Sequence, residues 1–140
     1  MTSWDYKFYS LALEIATWSK DPTSKVGCVA VAPNKRHFVT GYNGFPEGID
    51  DTEERLHDKK LKNKFMIHAE ANCIVNATQL LNGWTMFVTK APCLSCAKLI
   101  APAGITRLVC PRPEGSWANE QGEALALLTN VGITVDFFDT

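Results

Sequence analysis

The sequence has 140 residues, of which 46% are hydrophobic and 21% are charged, and its formal net charge is -1. This length suits one domain with a buried core, so we expect residues 1–140 to form a single domain. The balanced charge gives no general attraction for a polyanion and argues against nucleic acid as a partner. No apolar run reaches the roughly 18 residues that a membrane span needs, and the N-terminus lacks a signal-peptide pattern, so we expect no membrane partner and a cytoplasmic location.

An amphipathic helix and a β-hairpin are predicted in the first third of the chain. Apolar residues recur at three- and four-residue spacings over residues 4–18, which is the period of a helix. Residues 26–32 and 38–42 have the composition of strands, and the polar residues between them have turn chemistry. These two strands are therefore expected to pair as a hairpin.

The rest of the chain alternates helices and strands. The polar segment 44–64 has room for a short helix from about Glu53, and its charges are typical of a solvated face rather than a binding patch. The later patterns predict, in order, a helix over 69–81, a strand over 85–89, a helix over 93–101, a strand over 106–110, a helix over 118–130 and a strand over 133–138. A hairpin followed by this alternation predicts an α/β fold whose mixed sheet is covered by helices on both faces. Ligands of such sheets bind beyond the carboxyl ends of strands, where helices begin.

The cysteines fall into two groups. Cys28 and Cys110 lie in apolar strand segments and are interpreted as core residues. Cys93 and Cys96 are three residues apart at a predicted helix start, directly after Pro92, so their thiolates lie on one face and can bind one metal ion. A lone Cys-x-x-Cys motif is also typical of a redox pair or of half a structural zinc clip.

A second segment, His68-Ala69-Glu70, opens the helix predicted over 69–81. His68 can provide a third ligand, and three protein ligands leave the fourth zinc position for water, as in catalytic sites. A carboxylate such as Glu70 can take the proton of that water, whose pKa zinc lowers to about 7. A redox pair explains neither residue, and a structural clip would want a fourth ligand. The combination of H-x-E with P-C-x-x-C is the pattern of zinc nucleobase deaminases.

These motifs and several further stretches resemble the cytidine deaminase-like superfamily and, within it, the deoxycytidylate deaminases. The stretches occur in the family's order at 21–27 (DPTSKVG), 41–46 (GYNGFP), 68–72 (HAEAN), 96–100 (CAKLI) and 103–105 (AGI). The resemblance implies a three-layer αβα domain around a five-stranded mixed sheet, usually assembled as a homo-hexamer. It also implies hydrolytic deamination of dCMP to dUMP and ammonia, which supplies thymidylate synthesis.

The resemblance implies roles for individual residues as well. One catalytic Zn²⁺ per chain would be held by His68, Cys93 and Cys96, and Glu70 would shuttle protons. The resemblance also implies substrate contacts. Asn43 would contact the sugar, the Ala69 N–H would meet the pyrimidine carbonyl, and Asn72 lies within the matched motif. Taken alone, Asn43 is better interpreted as a turn residue and Asn72 as a helix-surface or packing residue.

The phosphate contacts are less well defined by the sequence. Ser24 and Lys25 lie in a loop expected near the substrate, and Arg112, after the fourth predicted strand, is a second candidate. Lys25 fits an ordinary surface lysine equally well. Trp117 is interpreted either as an aromatic wall of the site or as a residue packed beneath the last helix. Pro102 should disturb or end the helix that carries the cysteines.

Regulation is a further expectation from the family. In many relatives the 41–46 region contributes to a nucleotide site activated by dCTP and inhibited by dTTP, and the matching residues here are Gly41, Tyr42, Gly44 and Pro46. Some relatives bind a structural zinc near the charged segment. Because that segment offers only His57, we expect no second zinc.

Two other functions stay open at this point. The first is another deaminase on the same fold, acting on tRNA adenosine, guanine or cytidine. A tRNA enzyme should show a basic face, and 14 basic against 15 acidic residues offer none in bulk. The second is a noncatalytic zinc-binding or nucleotide-sensing module, and loss of turnover without loss of zinc in Glu70→Ala would distinguish the enzyme from it.

Overall fold

The sheet has five strands: β1 (Gly27–Val31), β2 (Phe38–Tyr42), β3 (Thr85–Val88), β4 (Arg107–Cys110) and β5 (Thr134–Phe137). They are seen in a computed structural model that describes residues 1–139. The strand order is β2-β1-β3-β4-β5. β1 pairs antiparallel with both β2 and β3, whereas β3–β4 and β4–β5 are parallel. The sheet is therefore mixed, as predicted.

Helices cover both faces of this sheet. They are α1 (Ser3–Ala16), α2 (Glu53–Leu56), α3 (Lys59–Phe65), α4 (Ala69–Asn76), α5 (Leu94–Ile100) and α6 (Ala118–Asn130), with a 3₁₀ turn at Gly115–Trp117. One core cluster joins α1 to Val29, Val31, Phe87 and Val109 on one face. A larger cluster joins α4, α5 and α6 to Cys28, Ala30, Met86 and Leu108 on the other. Alternate residues of each strand thus enter opposite cores, and the predicted three-layer α/β fold is confirmed.

A charged cluster closes the edge of the α1 face. Arg107 donates to Asp5 through Nη1 at 2.8 Å and to Asp136 through Nε at 2.7 Å. Asp5 also takes part in the capping box that begins α1. The first helix is therefore tied to the last two strands by ion pairs in which Asp5 is buried.

The predicted helix over 69–81 is too long. α4 ends at Asn76, because Ala77 takes an extended conformation with φ -68° and ψ 134°. Of the last two residues of the predicted helix, Leu80 is 79% exposed and Leu81 is buried. The extended path after Ala77 therefore carries Leu81 into the core.

The short helix expected from about Glu53 is in fact two helices. The Thr52 side chain accepts from the Arg55 N–H to begin α2, and Asp58 accepts from the Leu61 N–H to begin α3.

The helix that carries Cys96, α5, ends at Ile100, two residues before Pro102, as that proline predicts. Among residues 1–139, none of the helices combines the length and the apolar character that crossing a membrane requires.

Candidate active site

Two helix starts bring the predicted metal ligands together. His68 is the N-cap of α4 and Cys93 is the N-cap of α5. The Nδ1 of His68 lies 3.3 Å from the Sγ of Cys96 and 3.4 Å from the Sγ of Cys93. All three ligand atoms lie within 4.8 Å of one another. Residues 25 and 28 positions apart in the chain thus meet at one point.

The cluster fits a tetrahedral zinc ion. With Zn–S and Zn–N bonds of the usual lengths, two ligand atoms of a tetrahedron stand about 3.5–3.8 Å apart. The two nitrogen–sulfur distances found here are close to that range, and two thiolates with one imidazole are a common zinc donor set. Three protein ligands leave one position for a water or substrate atom.

The ionisation of the cluster also favours a cation. Hydrogen bonding from Cys96 is the largest cause that lowers the pKa of Cys93, to about 4. The same contact, together with burial, raises the pKa of the Cys96 thiol. The pair therefore holds one proton between its two sulfurs in the absence of metal. A hydrogen bond to Cys93 raises the pKa of His68 although burial opposes this. Metal binding must displace such protons.

Glu70 lies in the first turn of α4 and is 4% exposed. Burial raises the pKa of its carboxyl above the ordinary value. Together with His68 and Cys93 it lines a cavity of about 700 Å³. A buried carboxyl with a raised pKa is suited to accept and return a proton, as a general acid–base residue must.

The position of α4 depends on a close approach to β2. A Cβ on Gly41 would lie 2.3 Å from the Cys73 nitrogen and 2.6 Å from the Ala69 carbonyl oxygen, so only glycine fits there. The Asn72 side chain donates to the Tyr42 carbonyl at 2.8 Å, which adds a hydrogen bond between the helix and the strand. Asn72, carried over as a substrate contact, thus has a packing role in this structure.

Asn43 lines the cavity but its amide also fastens the loop before β1. Its Oδ1 accepts from the Val26 N–H and its Nδ2 donates to the Ser24 carbonyl, each at 2.8 Å. Ser19 donates through its hydroxyl to the Asn43 carbonyl at 2.9 Å. Because Asn43 is buried, these bonds fix both the residue and the loop.

The predicted phosphate contacts divide between the cavity and the surface. Ser24 lines the cavity. The Lys25 ammonium instead donates to the Ser19 carbonyl, and Arg112 pairs with Asp139 at 3.2 Å. These contacts hold both cations away from the cavity lining formed by residues 1–139, so the geometry does not support their predicted role. Trp117 is 56% exposed and does line the cavity, so it forms a wall rather than packing beneath α6.

The charged segment 44–64 also differs from its prediction as a solvated face. His57, Lys59, Lys62 and Asn63 line the cavity. The Nζ of Lys62 donates to Asp21 at 2.9 Å and to Thr23 at 3.0 Å. The sequence of this charged segment does not indicate these contacts, because Asp21 and Thr23 lie about forty positions before Lys62. Only the tertiary fold shows that α3 is a wall of the site.

Residues of the 41–46 motif lie at the junction of β2 and α4. The backbone of Gly44 pairs with Ile67, the residue before His68. The ring of Tyr42 packs edge-on against Trp18, with centroids 6.3 Å apart. Pro46 follows in the loop, where its carbonyl accepts from the Ile49 N–H. The motif therefore has structural contacts beside the site.

Known proteins are similar to this chain in sequence and in fold. The family model described as "Cytidine and deoxycytidylate deaminase zinc-binding region" matches residues 2–111. An uncharacterized deaminase of Aliivibrio fischeri is 32% identical over 125 residues, which cover 89% of this chain and 84% of that protein. The deoxycytidylate deaminase of Homo sapiens is 34% identical over 137 residues, covering 94% of this chain and 77% of that protein.

Among solved structures, the dCMP deaminase of cyanophage S-TIM5, in complex with dCMP and dUMP, is similar with a TM-score of 0.80. It is 24% identical, and the match covers 99% of each chain. The fold, the ligand cluster and the buried glutamate define a deaminase, a hydrolase that acts on C–N bonds. The chain belongs to the family of cytidine and deoxycytidylate deaminases.

Proposed function

We propose that the protein binds one Zn²⁺ per chain and catalyses the hydrolytic deamination of dCMP to dUMP and ammonia. The observation that carries this proposal is the meeting of His68, Cys93 and Cys96 at a cavity that His68, Cys93 and Glu70 line. Relatives named deoxycytidylate deaminase support dCMP as the substrate, as does the cyanophage enzyme's complex with dCMP and dUMP.

The zinc ion is expected to be held by the Nδ1 of His68 and the two sulfurs. When bound, it would supply an activated water at neutral pH. The chain's own contribution is to keep the donor atoms close before binding, so that little reorganisation is needed.

Glu70 would move the protons of the reaction. Its carboxylate takes a proton from the attacking water and delivers it to the ring nitrogen, and a second transfer leads to the departing ammonia. Because burial raises the pKa of this carboxyl, it holds a proton more tightly than an exposed carboxyl would.

Two further contacts would orient the substrate. The Ala69 N–H belongs to the first turn of α4, where backbone donors have no partner inside the helix, and it can meet the pyrimidine carbonyl. Asn43 uses one of its two amide N–H donors on Ser24 and has another for a sugar hydroxyl. Trp117 offers an aromatic wall for the base or sugar.

Regulation and assembly belong to the same proposal. We expect activation by dCTP and inhibition by dTTP at a site that includes Gly41, Tyr42, Gly44 and Pro46, since Gly44 pairs with the residue before His68. Equal velocity-versus-dCMP curves with and without dCTP would refute this regulation.

We also expect a cytoplasmic homo-hexamer that supplies dUMP for thymidylate synthesis. Sedimentation velocity of the zinc-loaded protein measures the assembly.

The decisive experiment is ammonia release by zinc-loaded protein from dCMP, dCTP, CMP, deoxycytidine and guanine. Turnover of dCMP above the others, lost in Glu70→Ala, is the expected result. Turnover of guanine alone would show that guanine, and not dCMP, is the substrate. Zinc binding without any turnover would favour a noncatalytic module.

A further inference from the structure

The charges around the cavity are unevenly distributed. α3 and the turn before it contribute His57, Lys59 and Lys62, of which Lys62 is paired with Asp21. The 3₁₀ turn and α6 contribute Trp117 and Glu120, and Glu120 is not paired with a cation within residues 1–139. A phosphate dianion is repelled by a carboxylate and attracted by ammonium groups. With the base at the metal cluster, the phosphate of a nucleotide is therefore best placed against α3.

Lys62 is the cation best prepared for that contact. Its side chain is only 12% exposed, yet it lines the cavity. An ammonium has three N–H donors, and Lys62 uses two of them, on Asp21 and Thr23. Within residues 1–139 the third donor has no hydrogen-bond partner. An anionic ligand in the cavity can accept a charge-assisted hydrogen bond from this donor.

Asp21 holds this ammonium in place. Its Oδ1 accepts from the Thr23 N–H and hydroxyl, each at 3.0 Å, as well as from Lys62. The carboxylate thus fixes the loop before β1 and α3 relative to each other. Ser24, the next residue of that loop, also lines the cavity.

We propose that Lys62 binds the 5′-phosphate of the substrate, with Ser24 and the exposed Lys59 completing the contact. The inference rests on the proposed function and names the residue that makes a nucleotide a better substrate than its nucleoside. It assigns to α3 the role predicted for Lys25, whose ammonium donates to the Ser19 carbonyl. Lys90 also lines the cavity, but it lies in the loop that leads to Cys93.

The test compares dCMP with deoxycytidine as substrates of the zinc-loaded protein. Lys62→Met is made in an Asp21→Asn background, so that no buried carboxylate loses its partner. Relative to Asp21→Asn alone, the double variant should lose about tenfold or more in kcat/KM for dCMP, since charge-assisted hydrogen bonds contribute that much. Its kcat/KM for deoxycytidine should change less than about threefold, because the nucleoside lacks the phosphate.

Matched controls separate recognition from folding. Lys60→Met removes a charge from the same helix outside the cavity lining and should leave both substrates unchanged. Lys62→Gln keeps an N–H donor for Asp21 without the charge, and it should show the same selective loss even where the double variant folds poorly. Equal losses on both substrates would show a structural role and overturn the inference.

The outcomes also distinguish the two proposals. A selective loss of dCMP turnover in Lys25→Met or Lys90→Met, with Lys62 variants unaffected, would overturn the inference and leave the proposed function intact. A wild-type protein that deaminates dCMP no faster than deoxycytidine would instead overturn dCMP as the preferred substrate.

Discussion

The Nζ of Lys62 lies 2.9 Å from the Oδ1 of Asp21, and this contact joins α3 to the loop that precedes β1. Burial alone would raise the pKa of Asp21, but hydrogen bonds from Thr23 and Lys62 outweigh it and lower that pKa. The Asp21 carboxylate is therefore ionised at neutral pH. The position of the pair at the cavity makes a helix from the charged segment part of the site.

Removal of the Glu70 carboxylate should separate catalysis from metal binding. We expect Glu70→Gln to lower kcat by about 10²–10⁴-fold, the usual contribution of a general acid–base group. Bound zinc, measured by atomic absorption, should stay near one ion per chain, because Glu70 is outside the ligand cluster. Full activity in this variant would show that another group moves the protons.

Loss of one sulfur ligand should remove the metal. Cys93→Ser is expected to lower both zinc content and dCMP turnover to background, because the remaining two ligands bind zinc weakly. Cys110→Ala is the matched control, since that cysteine is buried in β4 and lies outside the cluster. Normal zinc content in Cys93→Ser would contradict the assigned ligand set.

The Asp5–Arg107 pair should stabilise the fold in a pH-dependent manner. Hydrogen bonding from Arg107 is the largest cause that lowers the pKa of Asp5 from 3.8 to about 2. A lowered carboxyl pKa means that the folded state favours the ionised form. The contribution is therefore complete above pH 4 and is lost as the pH falls from about 4 to 2.

Denaturant titrations of Asp5→Asn measure this contribution. The free energy of unfolding should fall by about 2 kcal/mol at pH 7, and the difference from wild type should shrink below pH 4. Asp139→Asn is the control, because its pair with Arg112 is exposed on both sides and should contribute less than about 1 kcal/mol. A difference that does not vary with pH would point to packing or helix capping instead.

A methyl group on Gly41 should disturb the site from a distance. Gly41→Ala would push α4 away from β2, since the added Cβ meets the backbone of Cys73 and Ala69. We expect weaker zinc binding by competition with a chelator, together with lower stability. Gly44→Ala is the control, because its Cβ would meet open space in the part of the chain that the structure describes. Equal zinc affinity in the two variants would contradict the proposed role of Gly41.

Local patterns were sufficient to predict the sheet and the residues that meet in the His68, Cys93 and Cys96 cluster. His68, Cys93 and Cys96 each stand at a helix start, and the order of helices and strands implies that such starts meet at the carboxyl end of the sheet. The individual helix ends were harder, as α4 shows, because burial of Leu81 rather than helix periodicity decides where that helix stops.

Contacts between distant segments could not be predicted from such patterns. Lys62 looks like any other lysine of a charged run, and only its pairing with Asp21 reveals it as a wall of the cavity. Lys25 lies in a stretch that resembles the family, but its ammonium donates to the Ser19 carbonyl and the residue is outside the cavity lining. The role of Gly41 likewise depends on a helix that arrives some thirty residues later.

The ligand cluster has a mechanical consequence. His68 is carried by α4, which packs on β2 and β1, whereas both cysteines are carried by α5, which packs on α6. An ion held by all three would act as a cross-link that closes a loop of about 25 residues between His68 and Cys93. Such a closure restricts the unfolded chain, much as a disulfide does, and it opposes separation of α4 from α5. The ion proposed for catalysis would thus also stabilise the fold.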